Sequence, residues 1–257
     1  MRVDLLFDPF GARWADVRNG ALAAEHAGFD GVWLYDHLAG SAHGAPDVLE
    51  CWTTLTAIAA LVPRIAIGPL VLNVANREAG LLAVMAATLQ QVSEGRLLLG
   101  LGAGGGTDTP YAAEQQALGH RVPGDLARRH AVEAAIATLR AAWSGTLAGV
   151  SGFLRPDPAP PIIIGAFGPK LAEIAGRLGD GINVPAGPGI TRLVEIARQA
   201  RDRAGRVRNG FIVTASGQPS ARERDRLAEA GVDRLIVFVP PPYVGGVDRA
   251  RRALASS

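Results

Sequence analysis

Short apolar runs alternate with amphipathic stretches along the whole chain. A brief apolar run bounded by glycine or proline is typical of a buried strand, and apolar residues three or four apart are typical of a helix. Taken in order, these two periods predict eight strand–helix units. The predicted strands are 2–7, 31–34, 65–72, the run from 96 into the glycines, 161–165, 181–184, 208–214 and 234–238. The predicted helices are 13–27, 48–61, 80–93, 125–143, 169–178, 190–204, 221–230 and 247–255.

This alternation predicts an α/β protein with a (β/α)₈ TIM barrel. Residues 1–257 are expected to form one domain. An open, doubly wound sheet is the alternative, although it rarely carries eight such units without interruption. Two connections are long, 103–124 and 144–160. The first follows the carboxyl end of strand four, so we expect it on the catalytic face of the barrel.

Composition excludes several classes of function. The chain is 48% hydrophobic and 19% charged, with a formal net charge of +2. This balance gives no electrostatic case for binding nucleic acid or an acidic membrane. Cys51 is the single cysteine, so neither an internal disulfide nor a cysteine metal cluster is expected. Neither a signal peptide nor a membrane span is recognised, and a cytoplasmic location is expected.

The most distinctive stretch is the apolar run at 96–102, which ends in the glycines of 100–106. Glycine lets the backbone approach a ligand closely, so we interpret the stretch as a buried strand that opens onto a cofactor. The spacing Gly100-x-Gly102-x-x-Gly105 also matches a dinucleotide fingerprint. However, residues 107–110 form a turn where that fingerprint needs a helix, and no strand precedes Asp125. A glycine-rich loop without a ligand is the third interpretation.

The other predicted strand ends are apolar and aromatic, with few charges. They provide neither a facing pair of carboxylates nor a metal-ligand cluster, and a Ser-His-Asp set lacks local support. Such a site indicates that a cofactor carries the chemistry. His37 is the acid–base candidate, because an unperturbed imidazole titrates at roughly 6.5; His43 and His120 are weaker candidates. The strand-end residues considered are Phe7, Asp8, Phe10, Tyr35, Asp36, His37, Val71, Leu72, Asn73, Arg77, Asn183 and Tyr243.

The segment Gly165 to Pro169 joins a strand end to a helix start through small residues. Free amide groups and the positive end of a helix dipole favour a phosphate there. An ordinary strand–helix turn is the alternative. Lys170 follows in the first helical turn, and we expect it to point away from the barrel mouth. That placement argues against Schiff-base chemistry.

Three ordered motifs resemble the bacterial luciferase-like monooxygenase family. They are Glu25 to Leu38, Leu81 to Gly102, and Pro161 to Lys170 followed by Gly179 to Asn183. The resemblance implies a (β/α)₈ barrel with a flavin-type cofactor, either FMN or the deazaflavin coenzyme F-420 (written F420 in enzyme names). The Asp36-His37 pair is similar to the pattern of the F-420-dependent branch. Homodimers are common in the family and are an expectation here.

The resemblance also implies roles for particular residues. Asp36 and His37 would lie at the cofactor ring, with His37 handling a proton. A bulge with a non-prolyl cis peptide at Leu70-Val71 would support the back of the ring. The cofactor would also contact Ala103, Gly104 and a phosphate cradle formed by Gly165, Ala166, Phe167 and Gly168. The residues expected to line an apolar substrate pocket are Phe7, Trp14, Tyr35 and Tyr111.

Two departures from the family pattern matter. Gly105 stands where several F-420 enzymes carry a glutamate acid, so sugar-phosphate dehydrogenase chemistry is not expected; Glu114 comes later, where many members have a glutamate. The 144–160 segment is also shorter than usual. We therefore expect an oxidoreductase that transfers hydride between coenzyme F-420 and a small organic substrate. The alternatives are an FMN-dependent monooxygenase, a non-catalytic cofactor-binding barrel and, less favoured, a phosphate-binding lyase or isomerase.

Overall fold

The computed structural model describes residues 1–207 and 209–256. The described residues form nine parallel strands, nine α-helices and a 3-10 turn at Gly40–His43. The strands are β1 (Arg2–Phe7), β2 (Gly31–Leu34), β3 (Ala66–Pro69), β4 (Leu72–Asn73), β5 (Leu99–Gly102), β6 (Ile162–Gly165), β7 (Gly181–Val184), β8 (Ile212–Ser216) and β9 (Arg234–Val239). The helices are α1 (Trp14–His26), α2 (Cys51–Leu61), α3 (Ala79–Val92), α4 (Ala112–Ala117), α5 (Asp125–Ser144), α6 (Pro169–Leu178), α7 (Ile190–Arg203), α8 (Ala221–Glu229) and α9 (Tyr243–Ala255).

The sheet closes on itself as a barrel. Its strand order is β3-β2-β1-β9-β8-β7-β6-β5-β4, and every neighbouring pair is parallel. β3 and β4 are two pieces of the third predicted strand, so the nine pieces make eight barrel positions. A parallel bridge between Ile67 and Leu97 joins β3 to the start of the β5 run. The predicted (β/α)₈ barrel is therefore confirmed.

The third strand is broken where the sequence predicted continuity through 65–72. The break falls at Leu70-Val71, whose peptide bond is cis, as the family resemblance implied. Pairing with β2 ends at Pro69, and pairing with β5 begins at Leu72. The two intervening residues therefore belong to neither strand, although the Leu70 amide still donates to the Leu34 carbonyl at 2.7 Å.

Alternation along the strands separates an inner and an outer core. Leu6 of β1 packs inside the barrel with Trp33, Leu98, Ile163 and Ile236. Its neighbours Leu5 and Phe7 point the other way and pack against the surrounding helices. Side chains of a strand alternate between its two faces, which is why adjacent apolar residues serve different cores.

A buried ion pair between Asp4 and Arg234 lies inside the barrel. Asp4 is two residues before Leu6 and shares its inward face of β1. Arg234 donates to both carboxylate oxygens of Asp4 at 2.6 Å, and Trp33 Nε1 donates to the same carboxylate at 2.8 Å. Burial raises the pKa of Asp4, while the charge of Arg234 opposes that rise. No local pattern in the sequence predicts this buried pair, whose partners are 230 positions apart.

Some element boundaries differ from the predicted ones. α2 begins at Cys51 rather than 48, because the Glu50 side chain accepts from the amides of Trp52 and Thr53. α4 is a short helix inside the long 103–124 connection, and α9 begins at Tyr243 rather than 247. β8 lies two to four residues beyond the predicted 208–214, whose first residue, Arg208, is outside the described residues. Of the helices in the described part of the chain, none is long and apolar enough to cross a membrane.

Candidate functional site

A cavity of about 910 Å³ opens at the carboxyl ends of the barrel strands. Ligands of TIM barrels bind at this face, because the strand–helix loops converge there. The wall comes from the ends of β2, β5, β6, β7 and β8, from the β3–β4 break, and from the first turns of α5 and α6. The long connection after β5 also contributes, through Tyr111 and Glu114, as its predicted position on the catalytic face implied.

Val71 projects from the strand break into a space left by three glycines. A Cβ atom added at Gly102 would lie 2.5 Å from Val71 Cγ2, and one at Gly165 would lie 2.8 Å from the same atom. A Cβ at Gly100 would lie 3.0 Å from Val71 Cγ1, although its closest contact, at 2.1 Å, would be the carbonyl oxygen of Pro69. These distances are below normal contact, so no larger residue fits at these positions without movement. Some of the glycines therefore leave room for the Val71 side chain and do not themselves indicate contact with a ligand.

His37 is held by a buried carboxylate from α4. Its Nδ1 atom lies 2.7 Å from Oε1 of Glu114, whose side chain is only 6% exposed. The other carboxylate oxygen accepts from the backbone amides of Leu38 and Ala39. A carboxylate on one ring nitrogen fixes the imidazole and leaves the other nitrogen for a reactant, the geometry of a general acid–base pair. The sequence placed Glu114 in the right loop but gave no reason to pair it with His37.

Asp36 lines the cavity, but its carboxylate is fully buried and already engaged. Arg77 binds both of its oxygens at 2.9 and 3.0 Å, and the amide of Asn73 donates to it at 2.9 Å. Arg77 also contacts Glu50 at the start of α2. Asp36 therefore ties β2 to β4 and to α2, and it acts on the site by holding these loops in register.

Aromatic rings surround His37 at one end of the cavity. Phe10 stacks on His43 with ring centroids 4.1 Å apart, and Tyr111 lies 5.0 Å from the His37 ring. Tyr35 approaches His37 from β2 at 6.2 Å. Burial raises the pKa of Tyr35, so its phenol stays neutral. The sequence named Tyr35 and Tyr111 as pocket residues, and both line the cavity.

Cations occupy the other end of the cavity. Arg128 and Arg129 from α5 and Lys170 from α6 line it, beside Gly168 at the start of α6. Lys170 was expected to point away from the barrel mouth, but it lines the cavity, since the first turn of α6 faces the same opening as β6. Arg128 donates to the carbonyls of Ala103 and Gly104, and its Nε is buried with no partner among the described atoms.

Three residues expected at the site lie elsewhere. Phe7 is fully buried outside the barrel wall, where it stacks on Tyr243 at 4.5 Å, because its neighbours Leu6 and Asp8 occupy the inward face. Trp14 begins α1 on the outer ring and does not line the cavity. Ala166 is buried and is absent from the cavity wall, whereas Phe167 beside it is 82% exposed.

The remaining predicted cofactor residues all border the cavity: Leu70, Val71, Ala103, Gly104, Gly165, Phe167 and Gly168. Two of them, Ala103 and Gly104, form the loop that Arg128 holds. Within the described ranges, no cluster of three or more His, Cys, Asp and Glu side chains has the arrangement of a metal site.

The chain matches the model of the luciferase-like monooxygenase family over residues 5–256. It belongs to this family. An F420-dependent glucose-6-phosphate dehydrogenase from Beutenbergia cavernae is 32% identical over 185 residues, which cover 68% of this chain and 53% of the relative. A 5,10-methylenetetrahydromethanopterin reductase from Archaeoglobus fulgidus is 30% identical over 86% of this chain and 66% of the relative. The chain thus spans about half to two thirds of the length of these curated relatives.

A solved structure shows the same fold over almost the full length. It is an F420-dependent secondary alcohol dehydrogenase in complex with an F420-acetone adduct, with a TM-score of 0.84 and 18% sequence identity. The match covers 99% of this chain and 98% of that one. At this identity the likeness shows the barrel and not the activity.

Proposed function

We propose that this protein is an oxidoreductase that uses coenzyme F-420, with residues 1–257 forming one barrel domain. The observation that carries the proposal is the division of one cavity into a cationic end and an end that holds the His37–Glu114 pair. A phosphate-bearing cofactor fits the first end, and the second end supplies an acid–base group for its reaction. The F420-dependent relative supports this choice of cofactor.

The cationic end has features that suit an anionic group. A Cβ atom at Gly168 would meet no other atom within 4 Å, so the backbone at the start of α6 is open to approach. Lys170 lies in the first turn of the helix, and Arg129 and Arg128, the latter paired with Asp125, line the same cavity. Amide groups at a helix start together with nearby cations favour phosphate.

The protein's residues have separate tasks in this proposal. Gly168, Lys170 and Arg129 would hold the phosphate, while Leu70 and Val71 would support one face of the ring system. Ala103, Gly104, Gly165 and Phe167 would border it. Bound there, the coenzyme would supply a carbon that accepts or donates a hydride. His37, oriented by Glu114, would exchange a proton with the substrate, and Tyr35 and Tyr111 would shield that exchange from water.

Titration of the purified protein with coenzyme F-420 and with FMN, followed by cofactor fluorescence, tests the proposal. We expect F-420 to bind more tightly, and Lys170→Gln and Arg129→Gln each to weaken binding by about tenfold through loss of a charge-assisted contact. Arg192→Gln, an exposed arginine on α7, is the matched control and should not change binding.

Other results would replace the proposal. Tighter binding of FMN with oxygen consumption would indicate an FMN-dependent monooxygenase. Binding of F-420 without hydride transfer to any of a panel of alcohols and ketones would favour a non-catalytic barrel. Failure to bind either cofactor would overturn both enzyme interpretations.

We also propose that the protein forms a homodimer through α3. Leu81, Val84 and Val92 leave 40–56% of their surface exposed on this helix. Their spacing places them along one side of the helix, and covering them would remove apolar surface from water. Sedimentation analysis should give a dimer for the unmodified protein and a monomer for Val84→Asp; a monomer in both cases would contradict this assembly.

A further inference from the structure

The glycine loop, residues 103–106, has few ties to the rest of the protein. It follows β5, lines the cavity and contains neither helix nor strand. Gly104 has a φ of 68°, a conformation that glycine adopts without strain but gives up much chain entropy to hold. Within the described ranges, the hydrogen bonds that reach 103–106 from outside the 103–124 connection all come from Arg128. The order of this loop therefore depends on one side chain.

Arg128 reaches the loop from the start of α5. Its Nη1 atom donates to the carbonyl of Ala103 at 3.3 Å and also to the carbonyl of Gly104. Its Nη2 atom contacts Asp125 and lies beside Gly106, where an added Cβ would be 3.3 Å away. The Nε atom is buried without a partner among the described atoms, which costs free energy. The guanidinium is thus oriented by the loop carbonyls and not by a full set of its own acceptors.

The helix gives Arg128 a fixed base. The inner face of α5 is buried, and Trp143 near its end donates to the Ala83 carbonyl at 2.9 Å. Only 15% of the Arg128 side chain is exposed, whereas 75% of the Asp125 side chain is exposed. An ion pair with so exposed a partner contributes little. The two loop carbonyls are therefore the contacts of Arg128 that matter for the loop.

The direction of the two carbonyls determines where the neighbouring amides point. In a trans peptide, the C=O group and the following N–H group point in opposite directions, and neither peptide is among the cis bonds of the chain. Because the Ala103 and Gly104 carbonyls face Arg128, the N–H groups of Gly104 and Gly105 face away from it. Neither amide donates to an acceptor in the described part of the chain. Rotation of either peptide would exchange an amide for a carbonyl oxygen, so Arg128 decides which polar atoms the loop presents.

We propose that Arg128 is a positioning residue whose guanidinium fixes the peptide groups of the glycine loop. The effect on the loop needs no ligand. Its consequence, a higher affinity of the cavity for the coenzyme, rests on the proposed function. Arg129 provides the matched comparison, since it lines the same cavity from the next position in α5. In the part of the chain that the structure describes, it makes no hydrogen bond to the loop.

Backbone ¹⁵N relaxation of the protein without ligand tests the effect on the loop. We expect order parameters of about 0.85 for Gly104 and Gly105 in the unmodified protein, and values below about 0.6 in both Arg128→Gln and Arg128→Lys. Lysine keeps the charge, but its ammonium does not reproduce the planar fork that holds two carbonyls and a carboxylate. Arg129→Lys and Asp125→Asn should leave these order parameters unchanged.

Titration with coenzyme F-420 tests the consequence for binding. Arg128→Gln and Arg128→Lys should each raise the dissociation constant by about tenfold. Arg129→Lys, which keeps its charge at the cationic end, should raise it by less than about threefold. If Arg128 acted only through its charge, Arg128→Lys would retain both the affinity and the order of the loop.

The controls separate the possible failures. Gly205, in the turn after α7, is the reference within each spectrum and should not change. Melting temperatures verify that each variant is folded, and if Arg128→Gln does not fold, Arg128→Lys decides alone. Unchanged order parameters in the Arg128 variants would overturn the inference, as would an equal loss of order in Arg129→Lys. Absence of F-420 binding by the unmodified protein would overturn the proposed function alone, because the order parameters still decide the role of Arg128.

Discussion

His37 and Glu114 are 77 positions apart in the chain, yet His37 Nδ1 lies 2.7 Å from Glu114 Oε1. The contact joins the end of β2 to α4 across the mouth of the barrel. It fixes the orientation of the His37 ring without a ligand. In the proposed function His37 exchanges the proton, and the nearly buried Glu114 acts through it as a positioning residue.

Replacement of Glu114 by glutamine tests this positioning role. We expect Glu114→Gln to lower kcat by about 10- to 100-fold, within the range of general acid–base contributions, while the dissociation constant of the coenzyme stays within about twofold. Steady-state kinetics and fluorescence titration measure the two quantities. Asp108→Asn, an exposed carboxylate in the same connection, is the control. An unchanged kcat would show that the contact has no part in turnover.

The packing of Val71 against glycine gives a prediction on stability. Gly102→Ala would place a methyl group 2.5 Å from Val71 Cγ2, and overpacking of this kind costs about 1–3 kcal/mol. We expect the melting temperature to fall by several degrees. Gly124→Ala is the matched control, since a Cβ there meets no other atom within 4 Å. Similar melting temperatures for the two variants would contradict the conclusion that Val71 needs the space left by Gly102.

The ion pair inside the barrel predicts a strong effect of removing one partner. Arg234→Met leaves the buried Asp4 carboxylate without its cation, which should cost about 3–5 kcal/mol of unfolding free energy. Adding Asp4→Asn to this variant removes the stranded charge and keeps an acceptor for Trp33, so stability should partly return. Denaturant unfolding of the single and double variants measures both values. A double variant less stable than Arg234→Met would rule out this explanation.

Glu50, whose side chain caps the N-terminus of α2, should contribute to the free energy of unfolding in a pH-dependent way. Burial works to raise the pKa of Glu50, but hydrogen bonds from Thr53, Trp52 and Arg77 outweigh it and lower the pKa. A folded-state pKa below the unfolded one stabilises the protein above the ordinary value of roughly 4.3, and this stabilisation disappears as pH falls through the folded-state pKa.

Glu50→Gln measures this contribution. We expect a loss of about 1 kcal/mol at neutral pH, typical for a helix cap, and a smaller loss in acid as the wild-type carboxylate becomes protonated. Urea unfolding at neutral pH and below pH ~4 gives the two differences. Glu229→Gln, an exposed glutamate on α8, should change little at either pH. A loss that is independent of pH would show that the charge of Glu50 is not the cause.

Local patterns accounted for most of the barrel and for part of the site. Gly31–Leu34 and Ile162–Gly165 are uniformly buried strands, as their apolar runs predicted. His37 was identified because it follows a strand end, and strand ends meet at one face of a barrel. Phe7 was wrongly predicted to line the pocket, because an apolar residue at a strand end can face either the barrel interior or the surrounding helices. Its neighbours Leu6 and Asp8 point inward, so Phe7 points outward.

The sequence by itself determined the order of strands and helices, the family motifs and the face on which the loops converge, because these depend on short-range periodicity and spacing. The tertiary structure alone decided which distant residues meet: Glu114 with His37, Asp4 with Arg234, and Val71 with the glycines. It also brought Lys170 into the cavity. Such contacts depend on barrel closure and strand register, which bring together residues that no local pattern relates.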